Sequence, residues 1–239
     1  MQAKRSQNQR TIPTDQKLEF LAHSDIFQHL NAAEISELDR ITNVITCPSG
    51  RVFYRPGEKG TVLFLIKTGR VQLYHLSADG RKLITATLEA GACFGELPLI
   101  GQGLHTSFAE AIEDSRIYVI SKHDLEHVLA QKPAVTLALL QIVGRRSVEL
   151  EAQLINTTFK GTPARLATLL LQLARSSEKN NSELVITGVS QEELAERLGV
   201  YRETVSLALR DLKDAGTIEL GRKHIAICQV RRLEELAQG

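Results

Sequence analysis

The chain has 239 residues, a net charge of +1, 43% hydrophobic side chains and 24% charged ones. That length suits two domains, and near-neutrality excludes a general polyanion binder. No apolar run approaches the ~18 residues of a membrane span, and the amino-terminal MQAKRSQNQR lacks the apolar stretch of a signal peptide, so the expected location is the cytoplasm, with no membrane partner.

Residues 1–17 are polar and read as a flexible tail. Helical periodicity follows in Leu18 and Leu21, then in Ile35, Leu38 and Ile41. Between 43 and 120 the apolar residues fall in short runs: VITC, RVFY, VLFLI, RVQLYHL, KLITATL and SRIYVI. Turn residues punctuate them at Pro48-Ser49-Gly50, Arg55-Pro56-Gly57, Thr68-Gly69, Asp79-Gly80, Gly91 and Gly95. Short strands separated by glycine turns predict an antiparallel roll, placing a β-roll sensor domain with flanking helices at 18–132. Within it, GACFGELPLI at 91–100 is the segment best suited to a ligand. Glycines let backbone amides approach closely, and a short helical turn after Gly95 points free amides at an anion.

Pro133 restarts the chain as a long helix over 133–160. Thr136, Leu140, Val143, Ser147, Leu150, Leu154 and Thr157 recur at spacings of three and four, the pattern of a heptad seam. The seam predicts a dimer interface with Leu140, Val143, Ser147, Leu150 and Leu154 as its contacts; packing of that face on its own domain is the alternative. Gly161-Thr162-Pro163 then interrupts the helix and is the expected hinge, with Pro163 suited to the first turn of the next helix, ARLATLLLQLAR.

The stretch VSQEELAERLGVYRETVSLALRDLKDAG, 189–216, reads as two helices around a tight turn. Ser190 caps the first and Glu193 completes a capping box. Leu194, Ala195 and Leu198 give that helix its apolar face, and Gly199 stops it in a left-handed conformation. Val205, Ala208, Leu209 and Leu212 sink the second helix, leaving Arg202, Glu203 and Ser206 outward; Gly216 ends it. The strand-like TIEL and HIAIC, joined through Gly221-Arg222-Lys223, complete a winged helix-turn-helix over 161–239, whose second helix enters a DNA major groove amino terminus first. An ordinary helical corner is the alternative. From 160 to 239 twelve lysines and arginines face eleven acids, so DNA binding depends on local placement of Lys160, Arg197, Arg202, Arg210, Arg222 and Lys223. Ser190, Gln191, Arg210 and Lys223 are expected at the DNA backbone, Arg202 and Glu203 at base edges, Ser206 at either, and Tyr201 at a phosphate through its hydroxyl.

The order of roll, long helix, hinge and winged helix-turn-helix resembles the CRP/FNR family of bacterial transcription regulators. The residues carrying the resemblance are Pro56-Gly57-Glu58, Gly69, Gly91, Phe94-Gly95-Glu96-Leu97 and Arg202-Glu203-Thr204-Val205. The resemblance implies an α+β fold with an N-terminal cyclic-nucleotide-binding-like antiparallel β-roll, a long dimerisation helix and a C-terminal winged helix-turn-helix. It also implies a homodimer on a pseudo-palindromic operator in double-stranded DNA, contact with RNA polymerase, and no enzymatic activity.

The effector implied by the family does not carry over whole. Its candidate residues here are Gly95, Glu96, Leu97, Thr106, Ser107, Arg146, Leu150 and Glu151. In the cAMP-binding members a Gly-Glu pair holds the ribose and an Arg-Ser pair holds the phosphate; Gly95-Glu96 matches, but Thr106-Ser107 lacks the arginine, and no hydroxyl reproduces a bidentate guanidinium contact. Leu150-Glu151 stands where the long helix of those members offers hydroxyls to the purine. Cyclic AMP is therefore not the expected effector. Cys47, Cys93 and Cys228 are scattered and residues 1–46 hold no cysteine, so no iron–sulfur cluster and no metal site are expected. Haem, through His75, His105 or Cys93, stays open, as does a small dicarboxylate held by Arg146 with Glu151 at the spacing of the 2-oxoglutarate sensors. So does regulation without an effector. The rival classes are an enzyme built on the roll, for which no nucleophile–base pair is recognisable, and a cyclic-nucleotide-binding module acting on a protein partner.

Overall fold

The computed structural model describes residues 14–101, 103–177, 184–222 and 224–238. In chain order the elements are α1 (Thr14–Ala22), α2 (Ala32–Ile41), β1 (Thr42–Cys47), β2 (Val52–Tyr54), β3 (Val62–Thr68), β4 (Val71–Leu76), β5 (Lys82–Leu88), β6 (Cys93–Phe94), α3 (Leu97–Ile100), β7 (Phe108–Ala111), β8 (Ser115–Ser121), α4 (Lys122–Gln131), α5 (Pro133–Phe159), α6 (Thr162–Ser177), β9 (Val185–Thr187), α7 (Gln191–Leu198), α8 (Arg202–Asp214), β10 (Ile218–Gly221), β11 (His224–Ile227) and α9 (Val230–Gln238). Helix α1 begins at Thr14, inside the stretch expected as a tail. The rest of that tail lies outside the described residues.

The chain divides into two compact units, and the division differs from the expected borders. One unit holds the described residues up to Val71 together with Leu88–Gly144; the other holds Gln72–Thr87 and Arg145 onward. The hairpin β4–β5 thus groups with the C-terminal elements, and the border falls inside α5.

In the first unit a sheet of order β1-β8-β3-β6 forms the main layer, and β2 pairs antiparallel with β7. β8 runs antiparallel to β1 and to β3, with Ile120 opposite both Thr42 and Leu63. Leu63, Leu65, Tyr118 and Ile120 bury one face of that sheet against Leu21, Phe27, Ile35, Leu38, Leu125 and the first turns of α5. Val135, Ala138, Leu139 and Ile142 are the buried positions of α5, spaced as one helical stripe. A capping box at Asn31, whose side chain accepts from the Glu34 amide at 3.0 Å, fixes where α2 starts.

In the second unit the sheet β10-β11-β9 is antiparallel throughout, with Ile225 opposite both Leu220 and Ile186. Its core joins Leu166, Leu170 and Ala174 of α6 to Leu194 and Leu198 of α7, Val205, Leu209 and Leu212 of α8, Ile218 and Ile225 of the sheet, and Leu233 of α9. Full burial of each such side chain is worth about 1.5–3 kcal/mol, so the pose of α8 is fixed by its own apolar stripe. Pro163 sits in the first turn of α6, as expected, and α5 ends just before Gly161. No helix among the described residues is long and apolar enough to cross a membrane.

Candidate nucleic-acid interface

The hydroxyl of Ser190 accepts from the Glu193 amide at 3.0 Å and sets the start of α7. The expected capping box closes by half only: the Glu193 carboxylate is held instead by Arg197 at 2.8 Å, one turn along the helix. Gly199, at φ 65°, ends α7 in the left-handed region, where an added Cβ would lie 3.1 Å from Leu83 Cδ1. Two residues later Tyr201 is the N-cap of α8 in extended conformation and makes no side-chain cap. Val205, Ala208, Leu209 and Leu212 are buried, so the opposite face is outward.

On that face Arg202, Glu203 and Arg210 are exposed and Ser206 is half-buried. Among the described residues no ion pair holds Arg202 or Glu203. Ser190 is exposed and Gln191 half-buried at the start of α7. Leu207 is 57% exposed, one turn beyond Glu203. Lys223, expected in the wing, lies outside the described residues. Two of the basic groups expected at DNA are engaged elsewhere: Arg197 with Glu193, and Lys160, whose ammonium donates to the Ala237 carbonyl at 2.6 Å. Arg165, passed over in the sequence, donates to the Leu198 carbonyl and so ties α6 to the end of α7; burial lowers its pKa.

The hydroxyl of Tyr201, expected at a phosphate, donates to Asp79 Oδ2 at 2.8 Å. Asp79 belongs to the β4–β5 turn, where Ser77 and Arg81 also donate to it. Hydrogen bonds from Ser77, Tyr201 and Arg81 hold the Asp79 carboxyl well below the ordinary carboxylate range, and the Asp79 carboxylate raises the Tyr201 phenol.

The candidate effector residues are split between the units: Gly95, Glu96, Leu97, Thr106 and Ser107 in the first, Arg146, Leu150 and Glu151 in the second. The turn after Gly95 forms as the four-residue α3, with Pro98, which offers no N–H, in its first turn and the Leu99 and Ile100 amides bonded to the Glu96 carbonyl. Glu96 is 2% exposed and Leu97 51%. An added Cβ on Gly95, at φ 82°, would lie 3.1 Å from Phe64 Cδ2. Phe64 and Phe94 stack at 4.8 Å, and His105 stacks on Tyr54 at 3.5 Å. Burial pushes the His105 imidazole down, against the opposing influence of Glu58 and Glu96. Cys47 and Cys93 are buried, Cys228 is exposed, and none of the three is in a disulfide. Among the described residues no group of three or more histidine, cysteine or carboxylate side chains is arranged to hold a metal ion.

On α5 the expected seam residues Leu140, Leu150 and Leu154 are 59%, 49% and 66% exposed, and Ser147 is exposed too. Val143 departs from the pattern, being half-buried because it neighbours the inward Ile142 and Leu139. Leu137, Val148 and Ile155 are exposed on one flank of the seam and widen it, and Phe159 is exposed at the end of the helix; the strict heptad template passed over them.

The family model of the cyclic nucleotide-binding domain matches residues 44–132, and that of the Crp-like helix-turn-helix domain matches residues 164–236. A CRP-like cAMP-activated global transcriptional regulator of Mycobacterium tuberculosis is 31% identical over 222 residues, covering 92% of this chain and 99% of that protein. The cyclic AMP receptor protein of Thermus thermophilus is 29% identical over 192 residues, covering 80% of this chain and 87% of its own length. Among solved structures, a mutant of CooA from Carboxydothermus hydrogenoformans is 26% identical with a TM-score of 0.75, covering 91% of this chain and 97% of that one.

Proposed function

The chain belongs to the CRP/FNR family of transcription regulators, with a helix-turn-helix DNA-binding domain, and we propose that it acts as a homodimer on a pseudo-palindromic operator read by α8. The observation that carries this reading is the two-sidedness of α8: Val205, Ala208, Leu209 and Leu212 are buried while Arg202 and Glu203 stand exposed in its first turn. Arginine donates two bonds to guanine O6 and N7, and glutamate accepts from cytosine N4. Ser206 reaches a base edge or phosphate, while Ser190, Gln191 and Arg210 meet the backbone and fix register without reading sequence. Lys223 is assigned to the backbone on sequence grounds alone.

The widened apolar face of α5 supports the homodimer. Leu140 and Leu154 lie near its middle, with Leu137, Val148 and Ile155 on one flank; an apolar stripe of this length on a long helix is covered in a two-stranded seam. Two α8 helices must then sit about 34 Å apart to enter successive major grooves. Contact of the assembled dimer with RNA polymerase follows from family membership and has no assigned residues here.

We infer that cyclic AMP is not the effector of this chain. Thr106 and Ser107 offer hydroxyls where a cyclic phosphate needs a guanidinium, and the cAMP activation named for the mycobacterial relative is a property of that protein. Titration calorimetry should give no saturable binding of cAMP in the micromolar range; a micromolar isotherm contradicts the assignment. For the DNA reading, Arg202→Ala and Glu203→Ala should each lower affinity for a selected operator about ten- to hundredfold while leaving the oligomeric state unchanged. Unchanged footprints in both variants contradict it.

A further inference from the structure

The turn between β4 and β5 and the start of α8 belong to one compact unit, and the contact between them is polar and directional. The turn closes on its own carboxylate, since Arg81 Nε donates to Asp79 Oδ2 at 2.9 Å and Ser77 donates to Oδ1. The same Oδ2 accepts from the Tyr201 hydroxyl at 2.8 Å. The Arg81 guanidinium lies 5.1 Å from the centre of the Tyr201 ring and reaches the Gly199 carbonyl at 3.4 Å. Lys82 pairs with Glu196 of α7, also at 3.4 Å. An open cleft of about 340 Å³ lies along this contact, with Arg202 and Glu203 in its wall.

We infer that the β4–β5 turn is a latch on the recognition helix: Asp79 holds the Tyr201 hydroxyl in the position of a DNA phosphate, and duplex and turn compete for the amino-terminal end of α8. The inference rests on the assignment of α8 as the base-reading helix. Three physical points support it. A helix with its side chains is about 10–12 Å across and the major groove is about 12 Å wide, so no room is left for a β-turn within hydrogen-bond reach of the leading residue. Asp79 places a negative charge where phosphates approach. The hydroxyl exchanges one anionic acceptor for another on release. With Tyr201 53% exposed, the contact is screened by solvent and weak, as a switch between two poses of similar free energy requires. Whatever moves β4 or β5 then biases the freedom of α8.

The test is fluorescence anisotropy of the full chain on a labelled duplex obtained by selection with the wild-type protein, at one salt concentration. Asp79→Ala should bind about two- to fivefold tighter, the range expected of an exposed polar contact, with circular dichroism confirming an intact fold. In a Tyr201→Phe background the gain from Asp79→Ala should vanish, because the latch has already lost its hydroxyl. Asp79→Asn, closer in size, should move affinity in the same direction as Asp79→Ala. Unchanged or weaker binding by a folded Asp79→Ala overturns the latch. So does a gain of equal size in the Tyr201→Phe background, which reports long-range charge alone. Arg202→Ala on the same duplex separates the two assignments: if it leaves affinity unchanged, the role of α8 fails, and if it abolishes binding while Asp79→Ala has no effect, only the latch fails.

Discussion

The start of α8 and the segment from Gly95 to Ser107 are the two places where family resemblance puts charged ligand atoms, and they are built in opposite ways. In α8 the buried stripe is local: four apolar residues at helical spacing sink one face, and the charged residues point outward as a consequence. Between Gly95 and Ser107 the environment is non-local. Phe64 crowds Gly95, Tyr54 lies flat on His105, and Glu96 is buried, through strands tens of residues away in sequence. A helix carries its own instructions for exposure, whereas a turn in a roll takes its environment from distant partners.

Changes on the C-terminal side should produce the larger effects. Leu154→Arg places a charge in the middle of the exposed apolar face of α5 and should weaken dimerisation by about thirtyfold or more, the scale of an interface hot spot, in sedimentation velocity at micromolar protein. Full retention of the dimer would break the assignment of that face. Gly95→Ala and Gly199→Ala sharpen the contrast, since each puts a Cβ at positive φ with a neighbour at 3.1 Å. Each should cost about 1–2 kcal/mol of unfolding free energy, yet only Gly199→Ala, which anchors the turn before α8, should also lower DNA affinity. Ser190→Ala removes the N-cap of α7 and should cost about 1 kcal/mol, seen as a lower urea midpoint of the C-terminal unit alone. The smallest effect belongs to His105. Its folded pKa is depressed by burial, so the unfolded chain binds the proton more readily. Stability of the N-terminal unit should therefore be full above the ordinary imidazole range and decline as pH falls through it. His105→Gln should flatten that slope in urea titrations run across pH.

The helix-turn-helix was legible almost to the residue. Ser190, Gly199 and the stripe from Val205 to Leu212 mark their own boundaries, because capping, left-handed glycine and helical period are all short-range. The long helix was legible as an element, but its free face was only partly so: the heptad template included Val143, which is half-buried, and passed over Leu137, Val148, Ile155 and Phe159, because the buried positions of α5 are confined to Val135–Ile142 and the rest of the helix has no buried side to mark its outward one. The roll was legible as alternating runs with glycine turns, though not the grouping of β4–β5 with the C-terminal elements, which depends on contacts far apart in sequence. Tyr201 stood out in the sequence as a phosphate contact through its hydroxyl. Its bond to Asp79, 122 residues earlier, has no local signature.

The most direct measurement is in vitro selection of duplexes from a random pool by the full chain, run beside Arg202→Ala. Enrichment of an inverted repeat whose half-sites lie one helical turn apart, with a guanine position that becomes degenerate in the variant, is the predicted result. A pool that stays unenriched, or the same motif emerging with both proteins, would contradict recognition through the first turn of α8.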